Sequence, residues 1–424
     1  MGAFIETLRS GQWLSRDRMR LWGLAVLAAS AVGFIYILAT SDGLNDYQNR
    51  PIGTDFSNVY AAGTYVLEGK AHLAFDWPAQ HARERAIFGE NTPFYGWHYP
   101  PFFLFIAGVL ATMPYILALF AWQFVTLCLY LGMLWTVLRA VSADNGGAPN
   151  MLTRDPLWLL LALAFPAVFV NIGHGHNGFL TAALLGTALV TLDRRPWISG
   201  LLFGLIAYKP QFGLLIPLVL LVTGRWTVIL SAILTVLALG LATYIAFGPE
   251  VWRAFFATAE LTRIEVLEQG GTGWHKIQSV FSMARMWGAP VRFAYLAQGL
   301  TVLALAISLV WLWRSRAAMP LKAAALTIAA ILATPYSLDY DFVVLAPAIA
   351  FFAADGFGRG FSAWEKTALA LLWLMPLVAR TVAEQTLIPL GVPAMAAVFA
   401  LILRRAAADL NTVPFWQSTA QPIK

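Results

Sequence analysis

Apolar residues in this chain fall in blocks of about 15–22, the length an α-helix needs to cross a bilayer. Such blocks recur from residue 21 to residue 403. Backbone polar groups inside a bilayer must be satisfied within their own segment, so the blocks must fold as helices. Composition agrees. Of the 424 residues 59% are hydrophobic and 12% charged, against about 25% charged in a soluble chain. The expectation is an all-α, polytopic transmembrane bundle of about twelve membrane helices, one integral membrane domain over 1–424, with helices in its extracytoplasmic loops.

Charge sets the orientation. Arg16, Arg18 and Arg20 precede the first block, and Arg139, Arg194-Arg195, Arg225, Arg314, Arg316 and Arg404-Arg405 close later ones. Short cytoplasmic loops carry such residues. Both termini, the 139–155 loop with its turn residues Gly146, Gly147 and Pro149, and the polar tail are therefore expected inside. Residues 41–114 and 248–291 are expected outside. The 101–113 run, ended by Met113-Pro114, is too short to span and reads as an interfacial helix. Counting it as a span would turn every later basic loop outward. The net charge of +6 is explained by topology and calls for no nucleic acid. The first block follows the basic stretch Arg9–Arg20, is too long for a signal peptide, and reads as a retained anchor in a bacterial cytoplasmic (inner) membrane. The single cysteine, Cys128, allows no intrachain disulfide and no Cys-based metal site.

Polar residues with chemistry to offer gather at the outer ends of these helices. Asp55, just after the first block, reads equally as a general base and as a helix N-cap. His98-Tyr99-Pro100-Pro101 forms a rigid aromatic and proline corner. His174 and His176 make a metal pair on one reading and a polar turn on the other. No third ligand is in view, so no metal is expected. His176 and Asn177 suit a sugar hydroxyl or an anionic head group, and Asn177 equally suits capping of the following helix. Lys209 stands between two short apolar segments, 197–207 and 211–223. It must snorkel or meet an anion, for which an outer-leaflet lipid phosphate is the natural partner. A cation such as Lys209 would also keep Asp55 ionised. Arg263, His275 and Lys276 are further phosphate donors or merely solvated loop charges. Tyr336, Asp339, Tyr340 and Asp341 form a polar aromatic cluster suited to a sugar or to an interface belt. No phosphate-cradling glycine loop is present, so no nucleotide site is expected, nor any cofactor.

Several of these residues fall in an ordered pattern. D-F-x-x-x-Y-x-A-G runs from Asp55 through Tyr60 to Gly63, followed by Tyr99-Pro100-Pro101, the 171–177 turn, Lys209-Pro210, Pro335-Tyr336-Ser337 and Tyr340. The set resembles glycosyltransferase family 87, polyprenyl-phosphate-sugar-dependent membrane enzymes of the GT-C class. The resemblance implies inverting transfer of a hexose, commonly mannose, from a polyprenyl-phosphate donor to a lipid or glycan acceptor. It also implies that Asp55 is the base. His174 departs from the family's glutamine. A lipid-linked sugar flippase or transporter, and an O-antigen-ligase-like transferase, are the alternatives. A flippase would favour twofold internal symmetry, which the sequence lacks.

Reporter fusions test the orientation. A fusion at Asn145 is expected to report the cytoplasm and one at Thr272 the opposite side. The same side for both contradicts the map.

Overall fold

The computed structural model describes residues 2–148 and 150–412. Pro149 and the polar tail from residue 413 lie outside the described residues. Everything described is helix, turn or irregular connection, with isolated bridges in place of strands.

Among the described residues six helices are long and apolar enough to cross a membrane: Arg16–Ala39, Tyr115–Asp144, Trp226–Phe247, Val291–Arg314, Asp339–Arg359 and Gly391–Leu410. Two more spans result if each of two bent pairs is joined. Leu157–Leu163 meets Pro166–His174 at 44°, and Glu365–Leu377 meets Ala379–Thr386 at 75°. Proline causes the first bend, since Pro166 cannot donate to the preceding turn. The chain is thus a multi-pass membrane protein with six to eight spans by length, fewer than the expected twelve. The difference lies in the short apolar helices. Gly178–Thr191 and Met319–Leu332 are buried along most of their lengths by other helices. Pro196–Tyr208 and Pro210–Val222 are separated at Lys209. Hydropathy alone does not distinguish such sheathed or broken segments from full spans.

The two long polar intervals are folded. The first holds helices Thr54–Leu67 and Trp77–Phe88. The second holds Pro249–Thr262, a wide turn over Arg263–Glu268 and Val280–Met286. They interlock. Thr258 donates to the Phe75 carbonyl at 2.9 Å, and His98 Nδ1 lies 3.0 Å from Thr262 Oγ1. Residues 101–111 form a short helix that packs on Thr54–Leu67. Gly63 permits this, because a Cβ there would stand 2.1 Å from the Ala107 carbonyl oxygen.

The bundle has two unlike ends. At one, Arg16 pairs with Asp155, Arg194 with Asp144 at 3.0 Å, and Arg405 with Asp355 and Glu365 at 3.0 and 2.7 Å. The interlocked intervals form the other end. Gly63→Leu is expected to force Thr54–Leu67 off its partner helix and to cost about 1–3 kcal/mol, read as a lowered thermal midpoint in detergent.

Candidate active site

The helix Thr54–Leu67 begins at Gly53, whose φ of +73° ends the preceding loop in the left-handed region. No side chain caps this helix, and Asp55 sits inside its first turn. Asp55 is therefore not the N-cap. Its carboxylate receives no hydrogen bond from the described residues and retains 20% of its side-chain exposure, facing a cavity of about 660 Å³.

The walls of that cavity come from far apart in the chain. The 171–178 segment is tighter than a simple turn. Its first residues finish the helix Pro166–His174, and Gly175, with φ +62°, reverses the chain. A Cβ on Gly175 would stand 2.6 Å from that of Phe56, so glycine lets the reversal close on the helix that carries Asp55. Asn171 fixes the loop from within, accepting from the Gly178 amide at 2.9 Å and donating to Gln123 at 3.3 Å. Gln123 in turn reaches the His176 carbonyl at 3.2 Å. His174 Nδ1 lies 2.7 Å from Thr54 Oγ1 and 3.9 Å from Asp55 Oδ2.

His176 stacks on Tyr340 with ring centroids 3.7 Å apart. Its Nε2 is 3.5 Å from the Tyr99 hydroxyl and 3.4 Å from Lys209 Nζ. Lys209 donates to Asp341 Oδ1 at 2.7 Å, while Asp341 Oδ2 accepts from the Leu338 amide at 3.0 Å. Both ionic side chains are almost wholly buried, at 5% and 2% exposure. The anion that Lys209 requires is thus supplied by the chain itself. Asp339 accepts from the Tyr340 amide and lies 3.6 Å from Arg380.

The cavity wall includes Asp55, His98, Tyr99, His174, His176, Lys209, Arg263, Lys276, Tyr336, Asp339 and Tyr340 from the sequence reading. Three expected residues stand apart from it. Tyr60 donates to the Met113 carbonyl at 2.9 Å and packs edge-on against Tyr115, a structural position. Asn177 is buried at the start of the Gly178–Thr191 helix, where its side chain neither caps nor finds another partner. His275 presents its carbonyl to Gln278, and its ring is not in the wall. Arg263 is shared between Glu260 at 3.6 Å and Glu268 at 3.5 Å.

Other wall residues were not anticipated, and three of them bear on the chemistry. Asn58 lies one turn beyond Asp55 on the same helix face, a spacing readable in the sequence. Arg50 and Arg380 add positive charge. Five Lys or Arg side chains and three carboxylates line the cavity, a balance that suits an anionic ligand. Arg50 donates through Nε and Nη2 to one oxygen of Asp46, whereas no ion pair or hydrogen bond occupies the Lys276 ammonium among the described residues.

Burial dominates the electrostatics. It pushes the Asp55 carboxyl up to about 7, against the pull of Lys209 and Lys276. Neighbouring cations therefore do not hold Asp55 at an ordinary carboxylate value, contrary to expectation. Burial also takes His98 down to about 4, so that imidazole is neutral at neutral pH.

The model of one protein family, glycosyltransferase family 87, matches residues 97–335, just over half of the chain. The chain belongs to glycosyltransferase family 87. It is accordingly a membrane glycosyltransferase, and the transporter reading falls away. The matched stretch contains the Tyr99 corner, both histidines, Lys209 and Lys276, and begins after Asp55. No curated protein and no solved structure matches the chain.

Lys209→Met leaves the buried Asp341 carboxylate without its counter-charge and is expected to cost about 3–5 kcal/mol. Combining it with Asp341→Leu is expected to restore most of that loss. Thermal denaturation of the single and double variants in one detergent measures both effects.

Proposed function

We propose that the enzyme moves a hexose, with mannose the first choice, from a polyprenyl-phosphate sugar to a hydroxyl of a lipid or glycan acceptor. The reaction takes place at the outer face of the cytoplasmic membrane and inverts the anomeric centre. The observation that carries this reading is Asp55: a carboxylate with no hydrogen bond from the described residues, facing a cation-rich cavity at one end of an apolar bundle. A lipid carrier can keep its tail in the bilayer while its head group enters such a cavity.

The residues divide the chemistry as follows. Asp55 takes the acceptor hydroxyl proton as the acceptor oxygen bonds to C1 of the sugar. The C1–O bond to phosphate breaks on the opposite face, and its electron pair leaves with the polyprenyl phosphate. Lys276 and Arg380 meet the growing phosphate charge, since neither has a close, saturated ion pair. Lys209 contributes at longer range, its ammonium already bonded to Asp341. Tyr99, His98, Tyr336 and Tyr340 supply aromatic faces and polar edges for the sugar. The other two wall carboxylates suit the base role less well. Asp341 is taken by Lys209 and the Leu338 amide, and Asp339 by the Tyr340 amide with Arg380 nearby.

A base must be ionised, and Asp55 ionises at about 7. Activity is therefore expected to fall on the acid side, with the midpoint of the kcat/KM limb near pH 7. Asp55→Asn is expected to express and bind donor normally, with turnover reduced by about 10²–10⁴-fold. Lys276→Gln and Arg380→Gln are each expected to weaken donor binding by about 10- to 100-fold. The assays are transfer from a synthetic polyprenyl-phosphate mannose by purified protein and equilibrium binding of the same donor. Full turnover by Asp55→Asn removes Asp55 from the base role.

A further inference from the structure

A second cavity, of about 410 Å³, opens near the opposite, basic end of the bundle. Its wall combines the start of Arg16–Ala39 with parts of Tyr115–Asp144, Leu157–Leu163 and Leu345–Arg359. The deep surface is apolar, with Leu134, Leu161, Phe165 and Ala350 among its residues. The few polar groups there are already satisfied. Tyr130 donates to the Ala162 carbonyl at 3.3 Å, Trp158 to Thr153 at 3.2 Å, and Trp373 to Leu161 at 3.0 Å. Nothing inside the cavity asks for a polar ligand. Its volume lies within the range of about 300–1,000 Å³ typical of sites for small molecules.

The mouth differs from the interior. Arg16 pairs with Asp155, and Arg20 lies 3.7 Å from the same carboxylate. Two guanidinium groups thus share one carboxylate, leaving a net positive rim. The first helix is also loosely attached. Only 6% of its most apolar window is buried within the protein, so the bilayer supplies most of its packing.

An apolar interior beneath a positive rim, at the edge of a loosely packed helix, has the chemistry of one lipid class. We propose that this cavity holds an acyl chain of an anionic phospholipid, with the lipid phosphate at Arg16 and Arg20. The occupant belongs to the leaflet at the basic end and is distinct from any sugar donor at the other. Basic residues at a bilayer surface attract anionic lipids by about 1 kcal/mol each, or about fivefold in affinity.

Native mass spectrometry of the full-length protein tests the site after exchange into detergent containing equal amounts of phosphatidylglycerol and phosphatidylcholine of matched chains. The expected result is one phosphatidylglycerol retained preferentially. Arg16→Gln with Arg20→Gln should lower that preference by about 25-fold, since the two contributions multiply. Ala350→Phe, which fills the interior, should abolish retention while leaving the rim intact. Equal retention of both lipids by the unaltered protein overturns the anionic assignment. Undiminished phosphatidylglycerol retention by Ala350→Phe overturns the cavity as its seat. Should Ala350→Phe fail to fold, the rim variant and the unaltered protein decide: a preference unchanged by the arginine substitutions also refutes the proposal.

Discussion

The Lys209–Asp341 pair holds the centre of this structure. Each residue interrupts what would otherwise be apolar helix. Lys209 breaks Pro196–Tyr208 from Pro210–Val222, and Asp341 lies in the turn that precedes Leu345–Arg359. A buried charge without its partner is costly in a low-dielectric interior. Each interruption is therefore tolerable only while the other is docked against it. The pair also sets the surroundings. It brings His176 within reach of Lys209, places Tyr340 under the His176 ring, and leaves the cavity open on the side of Asp55.

In the proposed reaction the cavity meets two demands that ordinarily conflict. A phosphate-bearing ligand needs unneutralised cations, whereas a base needs a carboxylate that is not tied to one. The fold separates the two by position. Asp341 absorbs the cation lying deepest in the wall, Glu260 and Glu268 share Arg263, and Asp46 holds Arg50. Lys276 and Arg380 keep the greatest freedom. Asp55 meets no donor among the described residues, and desolvation rather than pairing sets its basicity. A carboxyl ionising at about 7 is a stronger proton acceptor than an ordinary aspartate and is about half ionised at neutral pH.

Much of this was legible in the sequence, for identifiable reasons. Polar residues at the ends of apolar blocks are costly unless they converge, and the residues around Asp55, His176, Lys209 and Tyr340 do converge. The ambiguity at Asp55 was backbone geometry: only the left-handed φ of Gly53 shows that the helix starts without a side-chain cap. Tyr60 came from a linear motif. Five residues along a helix is a rotation of about 140° from Asp55, which turns Tyr60 into the packing against Tyr115. Asn58, three residues along, stays on the cavity face. The partner of Lys209 was illegible because the pairing spans 132 residues. Arg380 was hidden for a related reason. It lies in a short helix after the sharp bend at 375–378, in a connection between two apolar runs that the sequence gives no reason to fold back over the site.

The interlocking of the two polar intervals has a consequence for biosynthesis. Asp55 and its helix are made early, yet the surfaces that complete the cavity come from residues 258–276, 335–341 and 380. An enzyme emerging from the ribosome therefore carries Asp55 long before the walls and cations of the cavity exist. Contacts such as Thr258 to Phe75 can form only once the intervening helices are in the membrane. The site is in this sense a late product of assembly, and a chain halted midway would hold the residue for chemistry with no chamber in which to perform it.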